Sequence, residues 1–260
     1  MKISNNDFLR YSKQIILKQV GILGQKKIAS SKVLIVGMGG LGCPLALYLS
    51  NLGIKNIGIA DHDKVDFSNL NRQILFNTKD IGKLKVVQAK KILQKVNKQI
   101  KINTYAKKII KKNIQNIINK YDIICDCSDN FTTRYLLNDF CLKNKKILIS
   151  AAISKFEAHI FNFNFSKNSP CYRCFMPEIP EEENKCDTEG ILPTVAGIAG
   201  TLQANEVVKT ILNKKNELVG KMIIFNSKTQ IINSTSMHYV CAHLKFRSSV
   251  LRDNSPSAKG

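Results

Sequence analysis

No run of eighteen or more consecutive apolar residues occurs anywhere in this 260-residue sequence, so no bilayer-spanning helix is expected. An apolar segment ahead of a cleavage site is also missing. The chain opens MKISNNDFLRYSKQ, polar from its first residues, which argues against a signal peptide and for a cytoplasmic protein. Arginine is scarce: of 40 Lys+Arg only six are Arg, against 19 Asp+Glu, leaving a formal net charge of +21. A basic surface attracts phosphate backbones, yet here lysine simply accompanies Ile and Asn, as in KKIIKKNIQNIINK (107–120). Aromatic residues are not interleaved with the basic ones in a stacking pattern, so no nucleic-acid partner is expected, and an acidic protein partner accounts for the surplus equally well. Eight cysteines are present, but a chain this long does not carry them as a secreted disulfide framework. Cys43, Cys125, Cys127 and Cys141 fall in apolar strand or helix patterns, as small buried hydrophobes do. Cys171, Cys174, Cys186 and Cys241 fall in loops or near the end, and remain available for chemistry.

The first half of the chain alternates short apolar runs with amphipathic stretches. VLIVG, a helix over 41–52, IGIAD, a helix over 82–97, IKINTYA, a helix over 111–119, YDIICDCSD, a helix over 131–143 and KILISAA follow one another. That order predicts a doubly wound, mostly parallel, Rossmann-like α/β sheet. From Ile153 the character changes, and FEAHIFNFNF alternates in the manner of an antiparallel strand. A polar loop (177–190), a long helix near 195–213 and the strand KMIIFN complete the pattern. One domain over 1–246 is expected, its nucleotide half about 1–150 and its second half about 151–246, with 247–260 a disordered tail.

IVGMGGLGCPLALYLSNLGIKNIGIAD (35–61) carries the first functional signal: a strand, Gly37-x-Gly39-x-x-Gly42, a helix, and a second strand ending in Asp61. Gly37 permits a tight turn, Gly39 lets backbone approach a phosphate, and Gly42 allows close helix–strand packing. Free N–H groups at the helix start favour an anion, and Asp61 is placed to accept from ribose hydroxyls. The loop alone admits NAD and ATP equally. Downstream, DHDKVDFSNLNRQILF adds Asp63, Ser68, Asn69 and Arg72, and GKLK adds Lys85. Hydride transfer has no need of this Arg and Lys, whereas expulsion of pyrophosphate does, because both neutralise phosphate charge. DCSDNFTTR then places Asp129 just past a strand, able to hold Mg²⁺ against phosphates. Asn130 before the helix reads either as a further binding residue or as a helix N-cap.

The motifs RYSKQIIL, VGMGGLGCPLALYL, SNLNRQILF, DCSDNFTTRYLLND, CYRC and GILPTVAGIAGTLQANEVVK together resemble the MoeB/ThiF/HesA family of ubiquitin-activating-type adenylyltransferases, in order, over about residues 8–241. That resemblance implies ATP bound at the sheet edge and a small ubiquitin-like sulfur carrier whose C-terminal Gly-Gly carboxylate meets the α-phosphate. The products are a carrier acyl-adenylate and pyrophosphate. It implies Gly37, Gly39 and Gly40 along the phosphates, Asp61 on the ribose, Asn69, Arg72 and Lys85 on the leaving group, and Asp129 on magnesium. Arg10 matches an arginine the family lends to a neighbouring protomer, which implies a homodimer. With no rhodanese-like segment after Phe246, sulfur would come from a separate sulfurtransferase or cysteine desulfurase, for thiamine, molybdopterin or a similar product. An NAD-dependent oxidoreductase and an inactive carrier-binding scaffold are the rival readings.

The resemblance also bears on the cysteines. Cys186 matches the family's crossover-loop cysteine, which bonds the carrier covalently in ThiF-like members and is dispensable in MoeB-like ones. Cys171-x-x-Cys174 matches half of a structural zinc site. The other half departs from the family pattern: Cys241 is present, but Leu244 stands where the last cysteine is expected. A Cys₃His set completed by His238 or His243 suits zinc, and loss of the metal is the alternative. The remaining histidines, His62 and His159, read as fold residues.

Overall fold

The computed structural model describes residues 4–165, 169–178, 190–212 and 220–237. In chain order the elements are α1 (Asn5–Ile15), α2 (Gly21–Ser30), β1 (Lys32–Val36), α3 (Gly42–Leu52), β2 (Asn56–Ala60), α4 (Lys85–Val96), β3 (Lys101–Tyr105) and α5 (Ile114–Ile118). They continue with β4 (Ile123–Asp126), α6 (Phe131–Asn144), β5 (Ile147–Ser154), β6 (Glu157–Phe163), α7 (Tyr172–Phe175), α8 (Pro193–Ile211), β7 (Lys221–Asn226) and β8 (Ile231–Ser236). The eight strands form one sheet in the order β3-β2-β1-β4-β5-β6-β7-β8. Pairings from β3 to β5 are parallel, and those from β5 to β8 are antiparallel. The expected fold class is therefore the observed one.

Side-chain alternation builds both layers. Along β1, Val33 and Ile35 face one way, into a core shared with Leu45, Leu49, Val86, Leu93 and Val195 of α3, α4 and α8. Leu34 and Val36 face the other way, against Ile117, Leu137 and Leu142 of α5 and α6. Strands buried on both faces read as nearly continuous apolar runs, as VLIV and IIC do here. The four cysteines expected inside the elements are indeed buried. In β6 the alternation sends Phe161 and Phe163 to the second layer, where they pack edge-on against Tyr172 of α7.

Three features differ from the sequence pattern. β8 was not anticipated, because IINSTS is exposed along its whole length and carries no buried face to reveal it. Helix α4 starts at Lys85 rather than 82, since Val65 N donates to Lys83 O at 2.8 Å and Lys85 N to Asp63 O at 3.0 Å, tying 82–84 into a loop. The N-terminal pair α1 and α2 lay outside the strand–helix alternation. Ser4 caps α1, and Asp7, Tyr11 and Ile15 form its buried stripe at four-residue spacing. None of the described helices is long and apolar enough to cross a membrane.

Candidate functional site

Chain order and strand order together locate the site. The chain runs outward from β1 to β2 and β3, then crosses back to β4 on the other side of β1. Between β1 and β4 the loops leave in opposite directions, and a crevice opens beyond the strand ends, where ligands of doubly wound sheets bind. Here the glycine loop follows β1 and the Cys127–Asn130 loop follows β4. They touch: a Cβ on Gly37, whose φ is +96°, would stand 2.5 Å from Cys127 O. A Cβ on Gly42 would stand 2.0 Å from Gly37 O, so only glycine lets α3 start this close to its own loop. Gly39 differs, for its nearest neighbour would be 3.9 Å away, which leaves its face open to a ligand.

The crevice encloses about 890 Å³, at the upper end of the range for small-molecule sites. Gly37, Gly39, Gly40, Asp61, Asp63, Asn69, Arg72, Lys85, Asp129 and Asn130 all line it. Asp61 fastens the loop as well as facing the cleft: one oxygen accepts from Met38 N at 2.6 Å and the other from Asp63 N at 2.8 Å. Arg72 spans Asn69 Oδ1 (2.8 Å), Ser68 O (3.1 Å) and Asn71 Oδ1 (3.2 Å). These neutral acceptors aim the guanidinium while leaving its charge uncompensated. Lys85, by contrast, is buried with Nζ 2.9 Å from Asp63 Oδ2.

Asp129 is held from behind. Asp126, fully buried at the end of β4, accepts from Ser128 N (3.0 Å), Ser128 Oγ (2.5 Å), Ser150 Oγ (2.7 Å) and Arg134 Nε (3.0 Å). Arg134 Nη2 reaches on to Ser128 O and Ala151 O at 2.9 and 3.0 Å. Burial alone pulls the Arg134 pKa down, but Asp126 and Tyr172 outweigh it and raise it further. Gln203 of α8 adds a second clamp, donating to Asp126 O at 3.0 Å and Ile149 O at 2.8 Å. The loop that carries Asp129 is therefore pinned on both sides. The Asp129 carboxylate itself has no cationic partner among the described residues, and Asn130 Nδ2 approaches it at 3.3 Å. An exposed, uncompensated carboxylate beyond a strand end suits a hard cation such as Mg²⁺.

Several expectations are corrected by the geometry. Asn130 is the N-cap of α6, its Oδ1 accepting from Thr133 N at 2.8 Å, so its carboxamide is largely committed to the fold. Ser68 does not face the crevice: its hydroxyl turns to Asp66 Oδ1 at 2.6 Å, and only its carbonyl helps, by orienting Arg72. His62 and His159 are not fold residues, since both line the crevice. His62 forms a close group with Asp61 and Asp63. His159 sits near Glu157, and burial lowers its pKa more than that carboxylate raises it. Arg10 lies at the opposite edge of the sheet, Nη2 bonded to Val96 O at 2.9 Å where α4 ends, far from its own phosphate loop. Sequence reasoning missed Asp126, Arg134 and Gln203; the polar letters in an apolar run and mid-helix were the available signal.

Cys171 and Cys174 are buried rather than exposed, at the start and within α7, with sulfurs 3.9 Å apart. Bonding to Cys174 and then burial raise the Cys171 pKa. Two thiolates about 2.3 Å from one zinc in a tetrahedron stand about 3.8 Å apart, so the pair fits one edge of such a site. Cys186, Cys241, His238 and His243 lie outside the described residues.

The profile of the ThiF family matches residues 11–242. The adenylyltransferase and sulfurtransferase MOCS3 of Culex quinquefasciatus is 42% identical over 227 residues, 86% of this chain and 52% of that protein. MOCS3 of Dictyostelium discoideum is 41% identical over 232 residues, 88% of this chain and 54% of that one. The chain thus spans about half the length of the curated relatives it matches. Among solved structures, E. coli MccB crystallised with AMPCPP and selenomethionine MccA is similar at TM-score 0.79 and 26% identity, covering 92% of this chain and 73% of that one. With sequence and fold in agreement over nearly all of its length, the chain belongs to the ThiF family.

Proposed function

We propose that this protein is an ATP-dependent adenylyltransferase that activates the C-terminal Gly-Gly carboxylate of a small ubiquitin-like sulfur carrier. The observation that carries the reading is the gathering of Arg72, Lys85 and Asp129 around the open face of Gly39 at one switch point. In that arrangement the carrier carboxylate attacks the α-phosphorus, the bond from that phosphorus to the bridging oxygen breaks, and pyrophosphate leaves with the bond electrons. The nucleophile is already charged, so no side chain need deprotonate it. Arg72 and Lys85 stabilise negative charge growing on the leaving group. Asp129 would hold Mg²⁺, which supplies Lewis-acid stabilisation of the phosphates when bound. Beyond the phosphate end the crevice continues past Ile153, Phe161, Tyr172, Phe175 and Ile191, an apolar passage suited to a narrow chain terminus without bulky side chains. Support also comes from the relatives, named adenylyltransferases over the half that this chain matches. The reaction would serve thiamine or molybdopterin biosynthesis, with sulfur delivered by a separate sulfurtransferase or cysteine desulfurase. Pyrophosphate exchange into ATP that requires both Mg²⁺ and a carrier ending in Gly-Gly tests the reading, and exchange without a carrier, or none with it, refutes it.

The reading includes a homodimer with shared sites. Arg10 cannot reach its own crevice, and it stands among exposed apolar side chains of α1 and α2, with Leu9 71%, Ile16 74% and Leu23 74% exposed. Contiguous apolar surface of this kind marks interfaces. Mixing Arg10→Ala with Asp129→Ala protomers is expected to restore a fraction of the exchange activity that each lacks alone. An active monomer by light scattering contradicts it.

The reading also includes one structural zinc per protomer, on Cys171, Cys174, Cys241 and either His238 or His243. Metal analysis of protein purified without a His-tag is expected to give a stoichiometry near one, with Tm falling in chelator. A value near zero with Tm unchanged means the site is lost.

A further inference from the structure

Gln73 ends the turn that carries Asn69 and Arg72. Main-chain bonds fix it: its N–H donates to Asn69 O at 2.9 Å, and its carbonyl accepts from Phe76 N at 3.0 Å. The residue is only 3% exposed, yet it lines the crevice. Its Nε2 would be the nearest atom to a Cβ on Gly39, at 3.9 Å, on the face of the loop left open for a ligand. Its Oε1 is buried and has no hydrogen-bond partner.

A carboxamide in that position does nothing for the free protein. Buried polar atoms are nearly always bonded, and each exception calls for a reason. An apolar side chain of the same shape would fill the space without the desolvation penalty. The last torsion of a glutamine is broad and roughly two-fold, so the carboxamide can turn its NH₂ towards the open side of the loop at little cost. A phosphate oxygen can only accept, and the amide NH₂ is the end that donates.

We propose that Gln73 is a direct ligand of the nucleotide phosphates, donating from its side-chain amide to a phosphate oxygen held over Gly39. This contact rests on the nucleotide site described above and adds a fourth phosphate donor to Asn69, Arg72 and Lys85. It also makes the free enzyme carry an unbonded carboxamide that nucleotide binding puts to use. Two effects of opposite sign follow. Gln73→Met, apolar and of similar length, leaves the Tm of the nucleotide-free protein unchanged or raises it. The same change weakens Mg-ATP binding by roughly tenfold to a hundredfold, the range for one hydrogen bond to a charged group. Adenosine, which lacks phosphates, binds both proteins alike. Gln73→Glu weakens Mg-ATP more than Gln73→Met, because it sets a like charge beside the phosphates.

Calorimetric titration of wild type and both variants with Mg-ATP and with adenosine, together with melting of the nucleotide-free proteins, measures all of this. Mg-ATP affinity of Gln73→Met within about twofold of wild type overturns the proposal. So does a fall in Tm of the free variant accompanied by equal losses for ATP and adenosine, the outcome of a purely packing role. Pyrophosphate exchange by the wild type is read separately: its absence, with the Gln73 effects intact, refutes the adenylation reading and leaves the phosphate contact standing.

Discussion

Asp129→Ala is expected to lower ATP–pyrophosphate exchange by roughly two to four orders of magnitude while leaving the protein folded. The carboxylate stands at the end of a loop pinned by Asp126, Arg134 and Gln203, and it carries no structural ion pair among the described residues. Truncating it therefore removes an anchor for the cation and very little packing. Loss of one preorganised electrostatic element in a site of this kind costs about 10²–10³ in rate, and loss of a bound metal ion adds to that. Arg72→Ala acts on the same charge from the opposite wall, and its loss should be smaller, since Lys85 remains. The check is exchange at saturating ATP and carrier, alongside an unchanged Tm. Exchange within about threefold of wild type would show that Asp129 holds no catalytic cation.

The largest stability effect belongs to Asp126, a residue that never faces the substrate. Its carboxylate is fully buried, and its partner Arg134 has a side chain only 7% exposed. Removing one member of a buried pair strands the other charge, which typically costs about 3–5 kcal/mol. Domains are stable by only about 5–15 kcal/mol, so Asp126→Ala should lose a large part of the total and expose the Cys127–Asn130 loop to disorder. Urea unfolding is expected to show a midpoint lowered accordingly with an unchanged slope. Asp126→Asn keeps the serine bonds and should fall between wild type and alanine. A loss below about 1 kcal/mol in the alanine variant would mean that Gln203 and the serines hold the loop without the ion pair. The two aspartates, three residues apart, thus separate function from scaffold: one change abolishes exchange without melting the protein, the other melts it.

The distinction was not legible in the string DCSDNFTTR, where both acids look alike. Local rules did establish a good deal. The period of the apolar runs was enough for the parallel half of the sheet, because strands buried on both faces must be apolar throughout, and VLIV and IICD leave little choice. Gly37 and Gly42 were readable because their steric demands are local, set by one turn and one helix start. Asp61, Arg72, Lys85 and Asp129 could be named from residue type and order, since phosphate chemistry needs those groups near those strand ends. Tertiary structure decided which of them point inward. Ser68 turns to Asp66, Asn130 caps α6, Arg10 is carried to the far edge of the sheet, and Asp126 is sealed behind the residue that faces the crevice. Each outcome depends on partners brought together by packing: Arg134 and Ser150 for Asp126, Val96 for Arg10. β8 shows the same limit in the fold, for a strand exposed on both faces has no apolar period, and only pairing with β7 makes it one. Gln73 is the sharpest case. Its letter differs in no way from an ordinary surface glutamine, and only burial beside Gly39 with Oε1 unbonded sets it apart, because the cost of an unmet hydrogen bond exists only once water has been excluded.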